Sequence, residues 1–125
     1  MRLWYELELS KLRREPTPLS KKLQDNFLAL VSKFPDDLRT PTIRPEFPNT
    51  IVFYWSTPTA GFRIDLQENQ IFYLRSCYDP GEDDDQPWDL KDRDLISRES
   101  NMISFEEHPR LILELKHSWL RSSSQ

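Results

Sequence analysis

Apolar residues recur at every second position in some stretches of this chain and at every third or fourth in others. That change of rhythm outlines its elements. Residues 2–9 alternate, with Leu3, Tyr5, Leu7 and Leu9 on one side and Trp4, Glu6 and Glu8 on the other. The alternation predicts a strand, although Leu and Glu individually favour helix. Lys11 to Glu15 then forms a charged connection. Over 18–34 the interval changes to three and four. Leu19, Leu23, Phe27, Leu30, Val31 and Phe34 make one stripe, with Lys21, Lys22, Asp25 and Lys33 off it. A helix is predicted there, capped by Thr17, opened by Pro18 and ended by Pro35.

Residues 35–49 carry Pro35, Pro41, Pro45 and Pro48 together with Arg39 and Arg44. They read as an extended connector from helix to sheet. The same composition also suits a proline-rich peptide ligand. Thr50–Thr57 is rich in β-branched and aromatic residues and apolar on both faces, which predicts a central strand. A turn from Pro58 to Gly61 leads to an alternating strand over 62–66, and Glu68-Asn69 turns the chain into a third strand over 70–76. Further on, Asp89 is placed to cap a short helix through Leu90, Leu95 and Ile96. Residues 101–105 fit a short strand or a turn. A last helix starts near Pro109 and runs to about Arg121 with Leu111, Ile112, Leu115 and Trp119 inward; Arg-Leu-Ile-Leu-Glu-Leu-Lys in its middle also fits a strand. The expected architecture is α+β in the order β-α-β-β-β-α. One domain spans 1–121, with helices on one face of an antiparallel sheet of three or four strands, and 122–125 form a polar tail.

Composition narrows the function classes. A chain of 125 residues has room for one core, and 37% apolar with 12% aromatic residues suffices to pack it. The two glycines, Gly61 and Gly81, lie too far apart for a glycine-rich phosphate loop. Cys77 is the one cysteine, so no internal disulfide forms. Acids stand where a signal peptide needs an apolar run, and no apolar run approaches the roughly 18 residues of a membrane span. These features predict a cytoplasmic protein with no membrane partner.

Charge changes the picture most. Residues 79–94 hold eight acids and two bases, a local charge of −6, while the whole chain carries −4. The remainder is therefore +2, and the acidity belongs to one segment. Such a concentration attracts a cationic partner, and Trp88 within it is an aromatic of the kind that anchors interfaces. The expected partner-binding residues are Glu82, Asp83, Asp84, Asp85, Trp88 and Asp89.

Other chemistry is less well supported. Asp83, Asp84, Asp85 and Asp89 are hard oxygen ligands, but Pro87 and the lack of a mid-loop glycine break the calcium-loop pattern. Cys77, His108 and His117 lack zinc-ligand spacing. No metal or cofactor is expected. There is no Gly-x-Ser-x-Gly. An enzyme would have to use Cys77, His108 or paired carboxylates. The pI near 5.2 opposes general nucleic-acid binding; stacking of single strands on Tyr54 or Trp55 at an exposed sheet face is a further alternative. The expectation is a non-enzymatic protein-binding protein, an acidic inhibitor or immunity- or antitoxin-type partner of a basic target.

Overall fold

The computed structural model describes residues 2–14, 19–79, 94–118 and 120. Its elements are helices α1 (Arg2–Arg14) and α2 (Lys21–Val31), strands β1 (Thr42–Glu46), β2 (Thr50–Thr57), β3 (Ala60–Leu66), β4 (Gln70–Asp79) and β5 (Asp94–Ser104), a 3₁₀ turn over Phe105–Glu107, and helix α3 (His108–Lys116). The strands form one antiparallel meander in the order β1-β2-β3-β4-β5. The class is α+β, as expected. The sheet has five strands rather than three or four, and the chain opens on two helices. No helix among the described residues is long and apolar enough to cross a membrane.

The first element corrects the predicted strand over 2–9. Tyr5, Leu9 and Leu12 are buried at spacings of four and three, while Leu3 and Leu7 are exposed. Alternation over eight residues coincided with a helical stripe that Leu12 completes. Local preference also favours helix: Leu, Glu, Lys and Arg dominate the segment, and Lys11, Arg13 and Arg14 in the last turn complement the helix dipole. Glu8 and Lys11 pair at 2.9 Å along the surface.

Helix α2 buries the predicted stripe of Leu23, Phe27, Leu30 and Val31. It begins three residues later than expected, because Ser20 is extended and its side chain accepts the Leu23 N–H at 3.1 Å. Thr17 and Pro18 lie outside the described residues. The helix stops at Val31, and Phe34 is buried from the turn that follows. Asn49, at φ 45°, ties this helix start to the sheet. Its side-chain oxygen accepts the Ser20 N–H at 2.8 Å, and its amide donates to Glu68 at 2.8 Å. Asn tolerates the left-handed region better than most residues. Hydrogen bonds from Ser20 and Asn49 hold the Glu68 carboxyl below its ordinary range.

The meander predicted over 50–76 is present and longer than expected. β1 arises within the proline-rich connector, paired to β2 from Thr42↔Tyr54 to Glu46↔Thr50. β5 replaces both the predicted short helix through Leu95 and Ile96 and the short strand or turn at 101–105. Ladder bonds to β4 hold it, with Ile103 near its end buried in the core. Residues 95–102 are all exposed, so no apolar period marked the strand. α3 begins one residue before Pro109, behind a capping box of Ser104 and Glu107, and ends at Lys116, short of the expected 121. Leu111, Ile112 and Leu115 face inward as predicted; Trp119 lies outside the described residues.

All three helices contribute to a core against one face of the sheet. Rings dominate it. Phe27 stacks on Phe53 at 5.5 Å, Phe53 on Trp55 at 6.3 Å, and Phe62 on Tyr73 at 6.2 Å, while Tyr5 meets Phe27 and Phe34 edge-on. The Tyr5 hydroxyl is buried without a hydrogen-bond partner, and burial pushes its phenol well above the usual range.

Candidate functional site

The helices cover the face that carries Ile51, Phe53 and Trp55, and side chains alternate along β2. Thr50, Val52, Tyr54 and Ser56 therefore look the other way, onto a face that no described helix covers. The register sets cross-strand rows on that open face. One runs Arg44, Val52, Asp65, Phe72, Met102; the next runs Thr42, Tyr54, Arg63, Leu74, Ser100. Val52 and Asp65 oppose each other directly, as do Tyr54 and Arg63. The half toward β1 is charged, and the half toward β5 carries the apolar Phe72, Leu74 and Met102.

The charged half is internally paired. Arg63 donates from Nε to Asp65 Oδ1 at 2.6 Å and from Nη2 to Glu46 Oε2 at 3.1 Å, and Arg44 reaches the same Glu46 oxygen at 3.2 Å. Glu46 is on β1 and Arg63 on β3, so this bridge passes over β2. Val52 is 1% exposed although no described helix covers it. The hydrogen bond to Asp65, with the nearby Asp65 and Glu46 charges, raises the affinity of the Arg63 guanidinium for its proton. Two bases against two acids leave this lattice with no net charge.

Beside the lattice lies a depression of about 310 Å³ lined by Thr42, Arg44, Val52, Tyr54, Gly61, Arg63, Leu74 and Tyr78. Gly61 makes room for it: a Cβ there would lie 3.3 Å from the Tyr54 hydroxyl and 3.6 Å from the Tyr78 ring. Tyr78 sits one residue from the end of β4. It opposes Leu95 just past a bulge at Ile96, and Asp79 opposes Asp94 as the final pair. The acidic segment is thus joined to the fold at both ends by one closing strand pair, next to the rim of the depression.

The expected partner-binding residues Glu82, Asp83, Asp84, Asp85, Trp88 and Asp89 lie outside the described residues. Cys77 and His108 of the enzyme alternative are described, and they do not meet. Cys77 is exposed near the Asp79 end of β4, opposite Ala60 and Ser97. His108 follows Ser104, which opposes Gln70 at the other end. Seven residues of strand separate the two levels, roughly 23 Å at strand rise. His108 is engaged in the fold: Nδ1 bonds the Phe105 carbonyl at 2.8 Å, Nε2 lies 2.8 Å from Lys33 Nζ, and the ring packs on Phe105 at 4.8 Å. On the open face the carboxylates Glu46 and Asp65 are both bonded to Arg63. Trp55 is buried in the core with Nε1 donating to the Arg39 carbonyl at 2.7 Å, so of the two proposed stacking residues Tyr54 alone is on the open face. Among the described residues no group of three or more His, Cys, Asp or Glu is arranged to hold a metal ion.

An exposed sheet face was expected; that Val52, Phe72 and Leu74 belong to it was not, because it is set by pairing register, which sequence does not display. In comparisons with protein-family models, curated proteins and solved structures, the chain matches none.

Proposed function

We propose that this protein binds another protein without catalysing a reaction, as an acidic inhibitor or immunity- or antitoxin-type partner of a basic target. The carrying observation is the charge of −6 confined to residues 79–94, a segment joined to the fold through the Asp79–Asp94 pair beside an open sheet face. Asp83, Asp84, Asp85 and Asp89 supply the field that steers a cationic surface in, Glu82 adds to it, and Trp88 supplies apolar area at the contact. The apolar half of the open face, from Leu74 and Phe72 to Met102, is the neighbouring surface on which such a contact would spread.

The alternatives have less behind them. An enzyme built on Cys77 and His108 would need groups at opposite ends of β4 and β5 to meet. Single-stranded nucleic acid would have to stack on Tyr54 without Trp55, beside arginines already paired to Glu46 and Asp65. The test is a partner isolated by affinity capture and identified, then measured by surface plasmon resonance. Replacing Asp83, Asp84 and Asp85 by Asn is expected to slow association, and added salt to slow wild-type association. A partner indifferent to both changes would remove the acidic segment from recognition.

A further inference from the structure

The two edges of the sheet differ. β1 is five residues long and carries Pro45, which offers no N–H to a neighbouring strand. β5 is eleven residues long with no proline, glycine or lysine, and among the described residues β4 is its sole strand neighbour. Edge strands in proteins are commonly blunted by such residues, by bulges or by a covering element. The bulge here sits at Ile96, and from Ser97↔Cys77 to Ser104↔Gln70 the register runs unbroken. No described helix shields the strand: residues 95–102 are exposed on both sides, with Ile96 at 66% and Met102 at 60%. Its outward N–H and C=O groups, alternating with those bonded to β4, are thus presented along a regular stretch.

We propose that β5 receives an extended, basic segment of a partner protein as a sixth strand of the sheet. This mode of contact rests on the reading that the partner is basic, and it assigns the contact to a particular edge. Ladder bonds would supply affinity, and side chains on alternate positions of the incoming strand would meet Met102 on the open side and Glu99 on the other. Charge favours a basic strand. Around this edge stand Asp79, Glu99, Glu106 and Glu107 against Arg75, Arg98 and Arg110, a net −1. Arg75 is already held by Glu99 at 2.6 Å and Arg110 by Glu107 at 3.2 Å. A second copy of this chain fits less well. Antiparallel pairing about a two-fold axis at mid-strand opposes Glu99 to itself. It also brings the Asp79–Asp94 end of each copy toward the Glu106–Glu107 end of the other, acid against acid.

The test uses the full chain and two synthetic nine-residue peptides of alternating Lys and Val with blocked ends. One has free backbone N–H groups; the other is N-methylated at every residue and carries the same charge. Binding is read by titration calorimetry and by amide exchange resolved along the strand. The free peptide is expected to slow exchange at alternate residues of Ser97–Ile103 and to bind at least tenfold more tightly than the methylated one. The variant Ile96→Lys/Met102→Lys, at two exposed positions, is expected to keep its melting temperature and to lose at least tenfold in affinity for the free peptide. Equal binding of both peptides with β5 exchange unchanged would overturn strand addition and leave the basic-partner reading standing. No binding of either at millimolar concentration would also overturn it, while the salt and Asp→Asn assays judge the basic-partner reading separately. β5 protection that grows with protein concentration alone would assign the edge to a second copy and overturn the proposal.

Discussion

Leu7 and Leu9 are the same residue two positions apart in α1, and their fates on truncation should differ sharply. On a strand they would share a side. On a helix they point about 200° apart. Leu9 is 2% exposed within the core cluster, and Leu7 is 54% exposed. Leu9→Ala removes a buried side chain and leaves a cavity that surrounding Tyr5 and Leu12 fill incompletely; such changes cost about 2.7–5 kcal/mol. Leu7→Ala removes little buried area, and Ala is the better helix former, so its effect should stay within about 0.5 kcal/mol. For a domain of this size each kcal/mol moves the melting temperature by roughly 3–6 °C, which puts the loss for Leu9→Ala at about 10 °C or more. Urea titrations followed by circular dichroism at 222 nm give both free energies. Leu9→Met, which conserves volume, should lose less than about 1.5 kcal/mol and guards against a Leu9→Ala protein too unstable to measure. Equal losses from Leu7→Ala and Leu9→Ala, or a larger loss from Leu7→Ala, would refute the helix and the packing drawn from it.

Phe27→Ala should cost about 3–5 kcal/mol by the same assay, because Phe27 is fully buried and stacked on Phe53; a melting temperature unchanged within error would mean the stripe of α2 faces elsewhere. Trp88→Ala should leave thermal stability nearly unchanged and weaken binding to the isolated partner by about 2 kcal/mol or more, as anchors do; a destabilised variant with unaltered affinity would make Trp88 part of its own fold. Glu68 has a folded pKa below its ordinary 4.5, so the stability it contributes is present above that value and is lost as pH falls through the lower, folded one. The difference in urea midpoint between wild type and Glu68→Gln should therefore shrink below pH 4.5, and a difference constant from pH 7 to pH 3 would show that the carboxylate's charge is not what Ser20 and Asn49 hold.

Much of the fold was legible where burial imposed a period. The stripe of α2, the meander from Thr50 through Tyr73 and the inward positions of α3 all follow from which residues leave water. Legibility failed in three physically distinct ways. In α1, Leu3 and Leu7 are apolar residues that stay in solvent, and counting them as core converted a helical interval into an alternating one. In β5 the opposite holds. The strand exists through backbone pairing to β4 while the side chains of residues 95–102 remain exposed, so no hydrophobic rhythm was there to read. β1 failed for a third reason: Pro45 argued against a strand, yet an edge position tolerates the missing N–H. Of the candidate site, the concentration of acids was visible at once, because charge is a property of composition. Which structural feature it adjoins was not, since that depends on Asp79 opposing Asp94 and on the register carrying Tyr78 to the rim beside Gly61.

These separate failures have a common consequence for function. Sequence reading finds the residues that a fold hides, and nothing local separates from them the apolar residues Val52, Phe72 and Leu74 of the open face. A sheet with helices on one side needs a second side that water tolerates, and this one solves the problem unevenly. Toward β1 the face is satisfied by its own ions, with Arg63 held by both Glu46 and Asp65, so a charged ligand there would have to break existing pairs. Toward β5 no such lattice stands over Leu74, Phe72 and Met102 among the described residues, and the strand that carries Met102 also presents an edge that is regular from Ser97 to Ser104. Surface that is not already internally paired costs less to cover. The asymmetry of the sheet therefore supports the proposal of recognition on the β4–β5 side, the same side from which the acidic segment leaves and to which it returns.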